Sequence, residues 1–142
     1  MTDDGPAVRA TGGCLCGAVR YEVRGPLRDV VLCHCSRCRR THGHVAAYAA
    51  CRSDDLVLVA SATLRWYTDE DRERGFCAAC GASLFWRAPG RETVSVAAGS
   101  IAPPTGLRTI GQIFVDSAGD YYEVPDAGER FAAGLPPGWT GP

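Results

Sequence analysis

The sequence predicts an all-β domain, held together by metal. Three observations carry that expectation. Short apolar runs recur along the chain and alternate with polar residues, and no stretch sustains the 3.6-residue period of a helix. Seventeen glycines punctuate those runs with turns. Seven cysteines fall into tight groups, Cys14/Cys16, Cys33/Cys35/Cys38 and Cys77/Cys80, a pattern suited to metal staples.

Taken in order, residues 1–11 read as a loose tail. Gly12-Gly13 opens the first cysteine pair, and Ala18–Val23 alternates as a strand. Gly25-Pro26 is a turn, after which Val30–Leu32 delivers the chain to Cys33. Cys35 and Cys38 have the two-residue gap of a zinc knuckle. Val45–Cys51 is small and apolar and reads as buried strand. Asp54-Asp55 turns the chain into two further strands, Leu56–Val59 and Leu64–Tyr67. Thr68–Arg74 is a charged hairpin or loop with no evident site chemistry. Phe76–Gly81 is a second knuckle, followed by strands at Ser83–Trp86 and Thr93–Ala97 across a Pro89-Gly90 turn. A last hairpin is expected from Ile113–Val115 and Tyr121–Val124. The expected organisation is a tail over 1–11, one zinc domain over 12–127 and an irregular tail over 128–142.

Bulk composition narrows the function. At 142 residues the chain is one domain, with ordinary apolar (46%) and charged (22%) fractions. A net charge of −1 gives no basic field, so nucleic acid is not an expected partner. No apolar run reaches the ~20 residues that span a bilayer. The acidic, polar start lacks the basic and apolar segments of a signal peptide. The expected location is therefore the cytoplasm, where thiols stay reduced and clustered cysteines serve metal or catalysis more than disulfides. All 15 basic residues are arginine, which removes a lysine Schiff base from consideration.

Zinc takes four ligands in a tetrahedron, and two cysteine pairs close one such shell. Cys14 and Cys16 share a face of an extended strand, and the Cys77–Cys80 loop turns both thiolates inward. These four form one candidate site, and a ribbon of Cys35/Cys38 with Cys77/Cys80 is the alternative pairing. The triad Cys33, Cys35 and Cys38 leaves a coordination position open for water or a substrate thiolate. Alternatively His34, His42, His44 or Cys51 closes that shell. His34, flanked by ligands, would point away from them and orient the loop. His42 and His44 would supply acid–base groups or remain solvated. Arg37, Arg39 and Arg40 would grip a substrate carboxylate or line a solvated edge. Trp66, Tyr67, Phe85 and Trp86 read as core, and Cys51 as a small buried residue.

The order G-G-C-L-C-G at 12–17, C-H-C-S-R-C-R-R at 33–40 and F-C-A-A-C-G at 76–81 strongly resembles the glutathione-dependent formaldehyde-activating enzyme family, also called the CENP-V/GFA domain. Ala98–Ile101 and Gln112–Val124 are similar to its C-terminal half, so the likeness covers roughly residues 11–127. The resemblance implies a β-tent fold and two zinc ions per chain. One would be structural, on Cys14, Cys16, Cys77 and Cys80. The second would sit on Cys33, Cys35 and Cys38. It also implies condensation of glutathione, or another small thiol, with formaldehyde, in a family classed with carbon–sulfur lyases. Members often carry a histidine near Gln112, which is a departure here. The rival expectation is a zinc-stapled binding module without turnover. A redox protein using Cys35 and Cys38 is a third.

Overall fold

The structure, a computed structural model, describes residues 7–138. Its strands form two sheets. β1 (Ala10–Gly13), β2 (Arg20–Val23) and β5 (Leu56–Ala60) make a small antiparallel sheet in the order β1-β2-β5. The large sheet contains β3 (Arg28–Cys33), β4 (Ala46–Arg52), β6 (Leu64–Asp69), β7 (Arg72–Cys77), β8 (Ser83–Arg87), β9 (Thr93–Ala97), β10 (Thr109–Ile113) and β11 (Glu129–Arg130). Its order is β11-β10-β3-β4-β9-β8-β7-β6, antiparallel except where β10 runs parallel to β3 and β11. The all-β expectation holds, with one short helix, α1 (Ser36–His42), among the described residues.

Strand alternation sorts the side chains between a core and a chamber. On β4, Ala49 and Cys51 enter the main core, while Ala46 and Tyr48 join the smaller cluster around Cys33 and Cys38. On β9, Val94 and Val96 face the core, while Ser95 lines a cavity on the other side. The small sheet covers the core face through Tyr21 and Val23, joined by Val19 just before β2, each at most 1% exposed. Tyr21 and Phe85 meet there edge to face, 5.2 Å between centroids. Only glycine fits at position 12, where a Cβ would collide with the Tyr21 hydroxyl and the Ser100 carbonyl. Cys51 is fully buried in this core, as its apolar neighbours suggested.

Four expectations need correction. Residues 36–42 form a helix where the spacing read as a knuckle loop. The Cys35 side chain caps it, accepting the Cys38 N–H at 3.3 Å, and Gly43 ends it in the left-handed conformation at φ 80°. Two turns are too short to leave a helical period in the sequence. The last hairpin is also absent. Phe114 adopts φ 54°, which stops the strand after Ile113, and Tyr121–Val124 is not strand. β10 instead pairs with β3 and β11. Glu129 and Arg130, within the stretch expected to be irregular, form β11. β11 joins the sheet edge, and Phe131 N donates to Gln112 O at 2.9 Å, Phe114 N to Ala133 O at 3.0 Å. At the other end, Ala10 and Thr11, expected in the tail, belong to β1.

Candidate metal centres and active site

Two cysteine clusters stand in separate parts of the fold. Cys14 and Cys16 follow β1, Cys77 ends β7, and Cys80 closes the turn after it. The four sulfurs all lie within 4.8 Å of one another, with Cys14–Cys16 at 3.6 Å and Cys16–Cys77 at 3.8 Å. A tetrahedron with Zn–S bonds of about 2.3 Å has sulfur–sulfur edges of about 3.8 Å, so these side chains fit a zinc ion. The alternative ribbon, pairing Cys35/Cys38 with Cys77/Cys80, is not what the fold brings together. Thr63 Oγ1 lies 3.3 Å from Cys77 Sγ, and that contact leads in pushing the Cys77 thiol down to about 6. Val19 N–H donates to Cys14 Sγ at 3.2 Å.

Cys33 ends β3, Cys35 caps α1 and Cys38 lies one turn into it, buried. Their sulfurs also lie within 4.8 Å of one another. Hydrogen bonds from Cys33 and then Cys38 push the Cys35 thiol down to about 2, while the same sharing pushes Cys33 up. A thiolate at this position is what a soft cation requires. Among the described residues, no fourth His, Cys, Asp or Glu side chain joins the triad.

The three histidines have other partners. His34 is fully buried, its Nε2 2.9 Å from Gln112 Oε1 and its Nδ1 2.7 Å from the Tyr122 hydroxyl. Gln112 Nε2 donates to the carbonyls of Pro125 and Ala127, so its Oε1 is the end that faces His34. His34 is therefore protonated on Nε2 and accepts from Tyr122 on Nδ1. The ring points away from the thiols and braces their loop. His42 Nε2 bonds the Tyr48 hydroxyl at 2.7 Å, and burial lowers its pKa. His44 Nδ1 bonds Tyr121 at 2.8 Å on the surface. Neither His42 nor His44 lines the chamber above the triad; Tyr48 does.

That chamber has a volume of about 680 Å³. The three cysteines form its floor, and Tyr48, Arg28, Arg74, Trp86 and Arg91 stand around them. Burial raises the pKa of Tyr48, which keeps its phenol protonated at neutral pH. Arg28 donates to Tyr48 O at 3.0 Å. The basic cluster of the helix divides. Arg37 pairs with Asp69 and, at 2.9 Å, with Glu70. Arg39 bonds the carbonyls of His34 and Ser117, both at 3.2 Å, and so braces the cysteine loop. Arg40 is exposed. Of the aromatics expected in the core, Phe85 is there and Trp66 stacks beside it, but Tyr67 is 63% exposed and Trp86 faces the chamber.

Sequence reading missed Arg74, Arg28 and Tyr48. Arg74 sits in a run of mixed charges, Asp69 to Arg74, that reads as a charged hairpin or loop. Within it, Arg74 is only 7% exposed, and its Nη1 lies 3.9 Å from Cys38 Sγ. No periodic or compositional signal separates it from Arg72, two residues earlier and exposed.

A sequence model of the family described as glutathione-dependent formaldehyde-activating enzyme matches residues 9–117. The fold also resembles a crystal structure of a Rhodobacter sphaeroides protein. The two share 33% identity over 63% of this chain and 85% of that one, at a TM-score of 0.54.

Proposed function

Because the chain belongs to the glutathione-dependent formaldehyde-activating enzyme family, we propose that it is a zinc-dependent carbon–sulfur lyase. Its substrates are a small thiol of the glutathione kind and an aldehyde, or the adduct of the two. The observation that carries this reading is the three-cysteine floor of a large chamber with no fourth protein ligand among the described residues. Cys14, Cys16, Cys77 and Cys80 would hold a structural zinc, and Cys33, Cys35 and Cys38 a second. The chemistry such a second ion supplies is a Lewis-acid position for a thiolate or a carbonyl oxygen.

In the forward direction a carbon–sulfur bond forms, the carbonyl π pair moves to oxygen, and the thiol proton ends on that oxygen. Tyr48 presents its hydroxyl to the chamber, and His42 behind it can accept or return the proton at Tyr48 Oη. His44, bonded to Tyr121 outside the chamber, is assigned to holding the 121–122 segment against the helix end. Arg28 and Arg91 place positive charge along the wall, suited to the carboxylates of a glutathione-type thiol. His34, Gln112 and Arg39 hold the cysteine loop in place. The cytoplasm is the proposed location, since free thiols and a reduced triad coexist there.

Two closed metal shells and an exposed apolar patch would favour a non-catalytic module. The exposed Val57, Leu58 and Val59 on β5 offer it a surface, but the open triad argues for turnover. The test is zinc per chain by native mass spectrometry, with thiol–aldehyde condensation assayed in parallel. Two zinc ions and measurable turnover are expected, and C35S should lose turnover while keeping its fold and the four-cysteine zinc. An unfolded or fully active C35S protein would refute the assignment.

A further inference from the structure

Arg74 is a buried charged residue of the chamber that the reaction scheme above leaves without a task. It projects from β7 into the wall between the chamber and a second cavity of about 430 Å³ that shares Tyr48, Asp69 and Arg37 with it. Burying a guanidinium is costly unless its charge is matched. The matching is incomplete. Asp69 Oδ2 lies 3.5 Å from Arg74 Nε, out of hydrogen-bond geometry, and the same carboxylate is engaged by Arg37. Arg74 Nε therefore has no hydrogen-bond partner among the described residues. On its other side, Nη1 points to Cys38 Sγ at 3.9 Å.

The charges of the triad supply what is missing. Three thiolates and a divalent zinc would sum to one net negative charge, at a floor where Cys33 and Cys38 are buried. A single guanidinium in contact brings that sum to zero. The four-cysteine cluster differs: it lies at the surface, where Cys16 is exposed to solvent, and solvent can screen its charge.

We propose that Arg74 is the counter-cation of the Cys33/Cys35/Cys38 centre, a positioning residue whose guanidinium, set against Cys38, helps fix the metal there. This inference rests on the reading that the triad binds zinc.

The test is release of each zinc to a competing chelator, read on purified full-length protein, for wild type, R74M, R74K and D69N. Two zinc ions are expected in wild type, one released more readily. R74M should weaken the triad's zinc on the order of 10- to 100-fold, the range for residues that support metal ligands, and leave the four-cysteine zinc unchanged. R74K, which keeps the charge, should recover most of that loss. D69N, which frees Arg74 from its competing carboxylate, should hold the second zinc at least as tightly as wild type. A wild type with one zinc would remove the metal reading of the triad and the inference with it. Two zinc ions in wild type with R74M unchanged would overturn the role of Arg74 alone. Should R74M fail to fold, D69N decides: loss of its second zinc overturns the proposal, and retention supports it.

Discussion

Replacing Gln112 by Leu removes the group that fixes the tautomer of His34. Gln112 is fully buried and makes three side-chain hydrogen bonds, to His34 and to the carbonyls of Pro125 and Ala127. The three losses are unequal. Pro125 is exposed and Ala127 half-buried, so water can replace the amide at both carbonyls. His34 is 0% exposed, and nothing replaces the partner of its Nε2–H. Leaving a buried donor unpaired costs about 1–3 kcal/mol. Moving the proton to Nδ1, so that it donates to Tyr122, only converts the unpaired donor into an unpaired acceptor. Adding a small net loss at the two carbonyls, the total is about 2–3 kcal/mol. At about 3–4 °C per kcal/mol for a domain of this size, the midpoint should fall by about 6–12 °C. The assay is thermal unfolding by circular dichroism with zinc in slight excess. Y122F provides the comparison, because it removes the weaker bond to Nδ1 and should cost about 1 kcal/mol. A Q112L midpoint within ~2 °C of wild type, or a Y122F loss as large as that of Q112L, would refute the assigned network.

Three further outcomes are expected. C80S should lose the four-cysteine zinc and, with it, the fold at 37 °C, since a structural zinc contributes on the order of 10 kcal/mol; C35S should stay folded, and the contrast is read by circular dichroism and metal content. His42 has a lowered folded pKa, chiefly through burial. The unfolded chain therefore binds the extra proton first as pH falls below about 6.5, so stability should decline through that window and be fully present above it. H42Q should flatten that slope in denaturant titrations between pH 7.5 and about 5, and an unchanged slope would place the titrating group elsewhere.

Much of the site was legible because cysteine spacing is itself geometry. The pairs Cys14/Cys16 and Cys77/Cys80 meet as expected, and the triad stays apart from them. The second-layer role of His34 was also readable, because a residue between two inward ligands on an extended backbone must point the other way. Its partners were not, since Gln112 and Tyr122 reach it from far along the chain. The β10 region misled because apolar alternation at Ile113–Val115 cannot reveal that Phe114 turns left-handed. Helix α1 was hidden by its brevity. Arg74 was hidden because a charge run reads as exposed on both faces of a hairpin, and only the fold shows which face meets the thiols.

Gly134, Leu135 and Pro136 form part of the chamber wall, while the family match ends at residue 117. That arrangement implies an order of assembly. During synthesis the triad at 33–38 emerges well before the segment at 129–136 that comes to lie over it. The three cysteines are therefore made while that side of the chamber is still open. The late segment then docks beside β10 and adds Gly134, Leu135 and Pro136 to the chamber wall.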